Sequence, residues 1–197
     1  GQDAYSGTTP MNLRKDTLIV AANFIQLFDK RARNLNCDLR ATVGNILTSP
    51  GSRNTISGYT FFTIDIRHPR SIILDKMETC INKIASDLIK KYKISINIKK
   101  VYNLPTVNFN TKIQNIIENA CNKLNYTKMK MISGAGHDAM SLAEKIPTGM
   151  IFIPCLNGIS HNEKEHASDD DLEAGCNVLL HTILKLNDFK TIHTPHL

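Results

Sequence analysis

The most constraining feature of this chain is a change of hydrophobic period between Tyr59 and Lys100. From Tyr59 to His68 the alternation is strict, with Phe62, Ile64 and Ile66 on one side and Thr63, Asp65 and Arg67 on the other. Ser71 to Lys91 then carries Ile73, Met77, Cys80, Ile81, Ile84 and Leu88 at spacings of three and four, one apolar helix face. The period returns to two at Ile94, Ile96 and Ile98. A strand, a crossover helix and a second strand commit this stretch to a sheet covered by helices.

The residues on either side extend the pattern. Thr9-Pro10 offers a cap and a proline suited to the first helical position, and Leu13, Leu18, Ala21, Ala22, Ile25 and Phe28 predict a helix from about Met11 to Asn34. Leu39 to Thr48 reads as a strand, and Ser49-Pro50-Gly51-Ser52 as a turn that makes a hairpin with the alternating segment. Helix, strand, strand, helix, strand is a ferredoxin-like split βαβ whose first strand is missing and is expected just before Gly1. The chain opens on Gly1 and not Met, so it is expected to be processed or to be a piece of something longer.

Asn103-Leu104-Pro105 breaks the pattern, and a second domain is expected after it. Asn110 is a candidate cap for a helix carrying Ile113, Ile116, Ile117, Ala120 and Leu124. A strand is expected at Met129 to Ile132, a glycine turn at Ser133 to Gly136, and a short helix from His137 to Lys145. Gly149 to Leu156 reads as a buried strand, Asn157 to Ala167 as a polar loop, and Ser168 with Asp171 as the start of a helix reaching about Leu186. This half is βαβα in character, so its ligand site belongs at the strand ends. The expected domains are 1–105 and 106–190, with 191–197 a tail.

Composition decides what such a fold serves. With 42% hydrophobic and 21% charged residues in 197, the chain is globular, and no apolar run approaches a membrane span. The net charge of +6 is scattered, aromatics are 6% and Trp is absent, which argues against nucleic-acid binding. Five cysteines without a C-x-x-C pair indicate neither a disulfide framework nor a structural zinc knot, and a cytoplasmic, reducing setting is expected.

Of the seven histidines, His181, His193 and His196 read as structural or incidental, and His68 and His166 as solvent-exposed. His161 follows the Gly158-Ile159-Ser160 turn in a loop with Glu163 and Glu165, a placement that suits a metal ligand, although one imidazole alone is not a metal site. His137 follows a glycine turn and opens a helix, where free N–H groups hold an anion or a developing oxyanion; it is equally a simple helix-start residue. Arg67 either grips a carboxylate with its planar fork or pairs with Asp65 on the same face. Asn54 is a turn former, or an amide brought close to Arg67 across the sheet to serve the same ligand.

Taken together, Gly7-Thr8-Thr9-Pro10-Met11, Ser52-Arg53-Asn54-Thr55-Ile56-Ser57-Gly58, Asp65-Ile66-Arg67, Ser133-Gly134-Ala135-Gly136-His137-Asp138-Ala139 and Gly158-Ile159-Ser160-His161-Asn162 resemble the metal-dependent amidohydrolases that include allantoate amidohydrolase, N-carbamoyl-L-amino-acid hydrolase and β-ureidopropionase. The resemblance covers nearly the whole chain, in the family's order. It implies an α/β architecture in which a ferredoxin-like lid and dimerisation domain is followed by the C-terminal part of a zinc-peptidase-like catalytic domain. The implied activity is hydrolysis of the C–N bond of a small anionic ureido or N-carbamoyl substrate by water activated on two zinc or manganese ions.

By the same resemblance His161 corresponds to the last metal ligand, Asn54 and Arg67 to the substrate-binding pair of the lid, and Gly136 and His137 to a loop lining the substrate pocket. Tyr5 stands where the family has a histidine that stabilises the reacting carbonyl; a phenol donates a hydrogen bond but carries no positive charge. The family's other metal ligands and its glutamate base precede the lid and are not in this chain, which leaves at most one ligand here. A homodimer through the lid is implied, with no nucleic-acid or membrane partner. A noncatalytic dimerisation or interaction piece, and a related di-zinc aminoacylase or dipeptidase, are the alternative readings.

Overall fold

The computed structural model describes residues 1–191 and divides the chain into two compact units, the first spanning Gly1–Thr106 and the second beginning at Val107. In the first unit, helix α1 (Thr17–Leu35) starts where Asp16 accepts the N–H groups of Leu18 at 3.0 Å and Ile19 at 3.3 Å. The helix expected from Met11 therefore begins later, after a single 3-10 turn at Met11–Leu13. Two side chains account for this. Thr9 spends its hydroxyl on the Tyr5 carbonyl (2.8 Å), and Arg14 reaches back to the carbonyls of Ser6 (2.8 Å) and Thr9 (3.1 Å), so the segment closes as a loop before the helix starts.

Strands β2 (Arg40–Ser49) and β4 (Tyr59–Arg67) pair antiparallel as the hairpin, from Ser49 opposite Tyr59 to Arg40 opposite Arg67, with a register shift between Val43 and Asn45 that leaves Gly44 as the bulged residue. Ala41, Val43, Phe62, Ile64 and Ile66 face a core supplied by α1 and by helix α2 (Ser71–Tyr92). There Phe28 and Met77 are the largest fully buried side chains, and Phe24 packs on Phe62 with ring centroids 5.3 Å apart. Burial of each such side chain stabilises the fold by about 1.5–3 kcal/mol. Lys93, in the left-handed conformation at φ 52°, ends α2.

The strand expected over Ile94, Ile96 and Ile98 forms no ladder, although Ile94 and Ile96 do pack against the core. Its alternation reported a face in contact with the core, and a face is not a pairing partner. A small pairing that the sequence did not suggest joins β1 (Ala4–Tyr5) to β3 (Thr55–Ile56). It is fastened where Asp3 accepts the N–H of Gly58 at 2.6 Å.

In the second unit, α3 (Thr111–Lys123) is capped by Asn110, whose Oδ1 accepts the Ile113 N–H at 3.1 Å. It packs against α5 (Asp169–Thr191) around Ala120, Cys121 and Val178. Ser168 and Asp171 share a 2.6 Å hydrogen bond at the start of α5, which runs past the expected end near Leu186. Helix α4 covers Asp138–Ala143.

No strand is formed among the described residues of this unit, so the βαβα expectation does not hold for 129–132 or for 149–156. An apolar run becomes a strand only beside another strand with free backbone groups, and these segments have none here. No helix among the described residues is long and apolar enough to cross a membrane. His193 and His196 lie outside the described residues.

Candidate functional site

The hairpin carries candidate residues at both of its ends. At one end, β1 holds Tyr5 opposite Thr55, with the tyrosine 56% exposed. Gly7 lies under this ring, where a Cβ would come within 2.8 Å of it, so the glycine is what leaves room for the tyrosine. Asn54 is beside it: its carbonyl accepts both the N–H (3.0 Å) and the hydroxyl (2.8 Å) of Ser6. Its side-chain oxygen accepts the Ser52 hydroxyl at 2.8 Å, the turn-forming role weighed for it.

Arg67 is at the other end, which corrects the expectation that Asn54 lies close to it across the sheet. Nine residues of β4 from Tyr59 to Arg67 extend about 27 Å. Helix α1, about 28 Å long, is a second ruler: Thr17 at its start bonds the Ser57 carbonyl (2.9 Å) and Thr60 hydroxyl (2.8 Å), while Asn36 just past its end bonds His68 at 3.1 Å. The turn at Ser49–Pro50 puts Asn54 beyond Tyr59, at the end remote from Arg67.

Arg67 projects from the outer face of the sheet into a shallow depression of about 490 Å³ lined by Arg40, Thr42, Gly44, Thr63 and Asp65. Its Nε and Nη2 donate to the two carboxylate oxygens of Asp65 at 2.8 and 2.7 Å, a two-point grip. That hydrogen bonding holds the Asp65 carboxyl below its ordinary range and raises the Arg67 guanidinium above its own. Among the described residues Arg40, directly opposite on β2, bonds only backbone carbonyls, those of Cys37 at 3.1 Å and Leu39 at 3.5 Å.

The next residue, His68, is 7% exposed, not solvent-exposed as its strand-end position suggested. Its Nδ1 accepts the Arg70 N–H at 3.0 Å and its Nε2 donates to Asn36 Oδ1, so a neutral ring ties the end of β4 to the end of α1. The burial follows from those two partners, which one strand's pattern does not reveal.

In the second unit, His137 stands just before α4. Ser133 Oγ lies 2.7 Å from its Nε2 and accepts the Ala135 N–H at 3.2 Å, while the Phe152 ring meets the imidazole edge-on at 5.5 Å. Ser133 Oγ thereby joins the glycine turn to the imidazole, and its hydroxyl can either donate to His137 Nε2 or accept from it. Gly136 has open space where a side chain would be, so its backbone is approachable. Ser133 had no role assigned from sequence; its four-residue spacing across a glycine turn was the available signal.

His161 is exposed, has φ 56° and is fixed through its backbone N–H, which Glu165 accepts at 3.0 Å. Among the described residues no three His, Cys, Asp or Glu side chains converge to hold a metal. His161 is a single donor, so the residues present do not make up a complete metal site.

Comparison with known proteins shows what the chain as a whole is similar to. The sequence profile described as Peptidase family M20/M25/M40 matches residues 9–185. An N-carbamoyl-L-amino-acid amidohydrolase of Rhizobium meliloti is 35% identical over 185 residues, 94% of this chain and 44% of that protein. The allantoate amidohydrolase of Escherichia coli K12 is 34% identical over 181 residues, 91% of this chain and 44% of that protein. Among solved structures, AtUAH in complex with glyoxylate superposes with a TM-score of 0.88 at 30% identity, covering 94% of this chain and 44% of that one. The chain thus spans less than half the length of the curated relatives it matches.

Proposed function

The chain belongs to peptidase family M20/M25/M40, and from that membership we propose that it serves a hydrolase of linear amide C–N bonds in ureido or N-carbamoyl substrates. The curated relatives are named amidohydrolases for N-carbamoyl amino acids and for allantoate, and all of these substrates carry a carboxylate. The observation that carries the reading is the Arg67 fork: exposed on the open face of the hairpin, it already holds a carboxylate by two points, in the geometry a substrate would need. The solved neighbour complexed with glyoxylate, a small carboxylate, supports the same assignment.

In this reading the first unit is a ferredoxin-like lid. Its sheet order would set a strand between β4 and the segment 94–98, antiparallel to both. The second unit belongs to the catalytic domain and brings the glycine turn, with the His137 imidazole and the Gly136 backbone lining the pocket. Family members generally bind divalent metal ions, and His161 is the donor this chain offers to a pair of zinc or manganese ions. Such ions, when bound, would supply an activated water and polarise the carbonyl.

The separation of Asn54 and Tyr5 from Arg67 by the length of β4 supports a homodimer built through the lid. One substrate cannot be reached from both ends of one hairpin. A two-fold axis beside β2 sets the Arg67 end of one copy next to the Tyr5 and Asn54 end of its partner. Tyr5 then offers a phenol as a neutral donor to the reacting carbonyl.

The test is a substrate panel of allantoate, N-carbamoyl-L-amino acids and 3-ureidopropionate on the full gene product with zinc, manganese and cobalt. Turnover of at least one is expected. Turnover of dipeptides or N-acyl amino acids in their place would move the protein to the aminoacylase branch, and no turnover at all to a dimerisation or interaction role.

A further inference from the structure

The outer face of the hairpin holds more charge than one arginine needs. Arg40 and Arg67 are directly opposite each other on β2 and β4, and side chains so paired lie about 5 Å apart at their roots. Two like charges in that position repel. Asp65, two residues before Arg67 on the same face, offsets the repulsion from one side only, since its carboxylate is engaged by Arg67. Arg40 has only main-chain carbonyls for its guanidinium among the described residues. Both members of the ion pair have half-exposed side chains, so the contact is screened and easily exchanged.

We propose that Asp65 is an internal stand-in for the ligand's carboxylate, displaced from the Arg67 fork when a carboxylate ligand enters the depression and is held by Arg67 and Arg40 together. The inference rests on the carboxylate-binding role given to Arg67 above and adds two residues to it. Arg40 is the second arm of the grip, and Asp65 sets the affinity by competing for the first. The competition has a chemical basis: the Arg67 edge formed by Nε and Nη2 is the one a substrate carboxylate would use, and Asp65 occupies it at 2.7–2.8 Å. A ligand carboxylate gains over Asp65 because it is not fixed to the strand and can lie between the two guanidinium groups. An uncharged group gains nothing there, so the exchange selects for acids over amides.

The test is a titration of the 197-residue chain with N-carbamoylglycine, and with N-carbamoylglycinamide as the uncharged control, read from the arginine Nε–Hε NMR signals. Asp65→Asn is expected to bind the acid about 2- to 5-fold more tightly than the unaltered chain, the range for freeing an arginine from an exposed pair. Arg40→Gln is expected to weaken binding by a similar factor, in the unaltered and the Asp65→Asn backgrounds alike. The backbone amide spectrum serves as the check that each variant keeps the hairpin.

Unchanged or weaker binding by Asp65→Asn would overturn the inference, because Asp65 would then orient Arg67 instead of competing for it; so would a silent Arg40→Gln. In both cases the role of Arg67 survives if Arg67→Gln still loses binding. Equal binding of acid and amide, no effect of Arg67→Gln, or no response in any variant would overturn the carboxylate reading of Arg67 together with the inference.

Discussion

The two units are built on different scales of burial. The first closes eleven buried residues into one cluster between the hairpin, α1 and α2. The second has a cluster of three buried residues between α3 and α5, and α5 leaves Leu179, Leu180, Ile183 and Leu184 about half exposed. Met129, Met131 and Ile132 are more than half exposed as well. Apolar side chains in comparable number therefore give a self-sufficient core in one unit and an uncovered apolar surface in the other, because a core needs a second layer and only the first unit supplies its own.

The largest expected effect tests that contrast. Phe28→Ala should destabilise the first unit by about 3–5 kcal/mol, since the 2% exposed ring is enclosed on all sides and its loss leaves a cavity. Ile116→Ala in the second unit should cost about 2 kcal/mol, the low end for such a change, because the core of that unit is small. Urea unfolding monitored by unit-specific amide signals checks both. Equal losses would break the comparison.

The contrast also explains what the sequence disclosed. The outward face of Tyr59–Arg67 and the buried face of α2 were legible, because each is dictated by the period of one segment. The strands expected at 94–98, 129–132 and 149–156 were not, because a ladder depends on a partner elsewhere. Register was hidden for a related reason. Counted straight from the pairing of Ser49 with Tyr59, Arg67 would face Ala41; the bulge at Gly44 shifts it to Arg40 and so builds the two-arginine face. Thr9 and Asp16 are both cap-forming residues, and the choice between them fell to Arg14, whose bonds back to the carbonyls of Ser6 and Thr9 no hydrophobic period records. Arg67 was readable as an outward cation, whereas the pairing of Ser133 with His137 required the turn between them to be seen closed.

The units also differ in what they bring to a substrate, and this gives the next largest effect. In the full gene product, Arg67→Ala should raise KM for a carboxylate substrate by the equivalent of about 2–3 kcal/mol, the range for a charge-assisted hydrogen bond. His161→Ala in the second unit should lower metal occupancy, measured by elemental analysis without any substrate. An unchanged KM in the first case, or full occupancy in the second, would remove the corresponding residue from the site.

Helix starts offer a finer comparison, because here the units should agree. Asp16→Ala and Asn110→Ala each remove an oxygen that accepts backbone N–H groups, and each should cost about 1 kcal/mol in thermal or urea unfolding. A much larger loss for Asp16 would mean that the cap also fastens the loop closed by Arg14.

The smallest effect is electrostatic and discriminates the units by partner. Asp65 in the first unit and Glu118 in the second are both held below their ordinary carboxyl ranges, Asp65 by its hydrogen bonds from Arg67 and Glu118 by those from Lys130 and then Lys128. A carboxyl whose folded pKa is depressed stabilises the fold above its unfolded pKa. That contribution is lost as pH falls through the lower, folded value. Both pairs are solvent-exposed, so their effect on stability is slight and salt-sensitive, and the midpoints themselves are the better readout. Carboxyl ¹³C titration should place both midpoints below the usual range. Arg67→Gln should return Asp65 to it and leave Glu118 where it was, while Lys130→Gln should do the reverse. If Asp65 stays depressed without Arg67, then Arg40 holds it instead, and the two guanidinium groups already share one carboxylate before any ligand arrives.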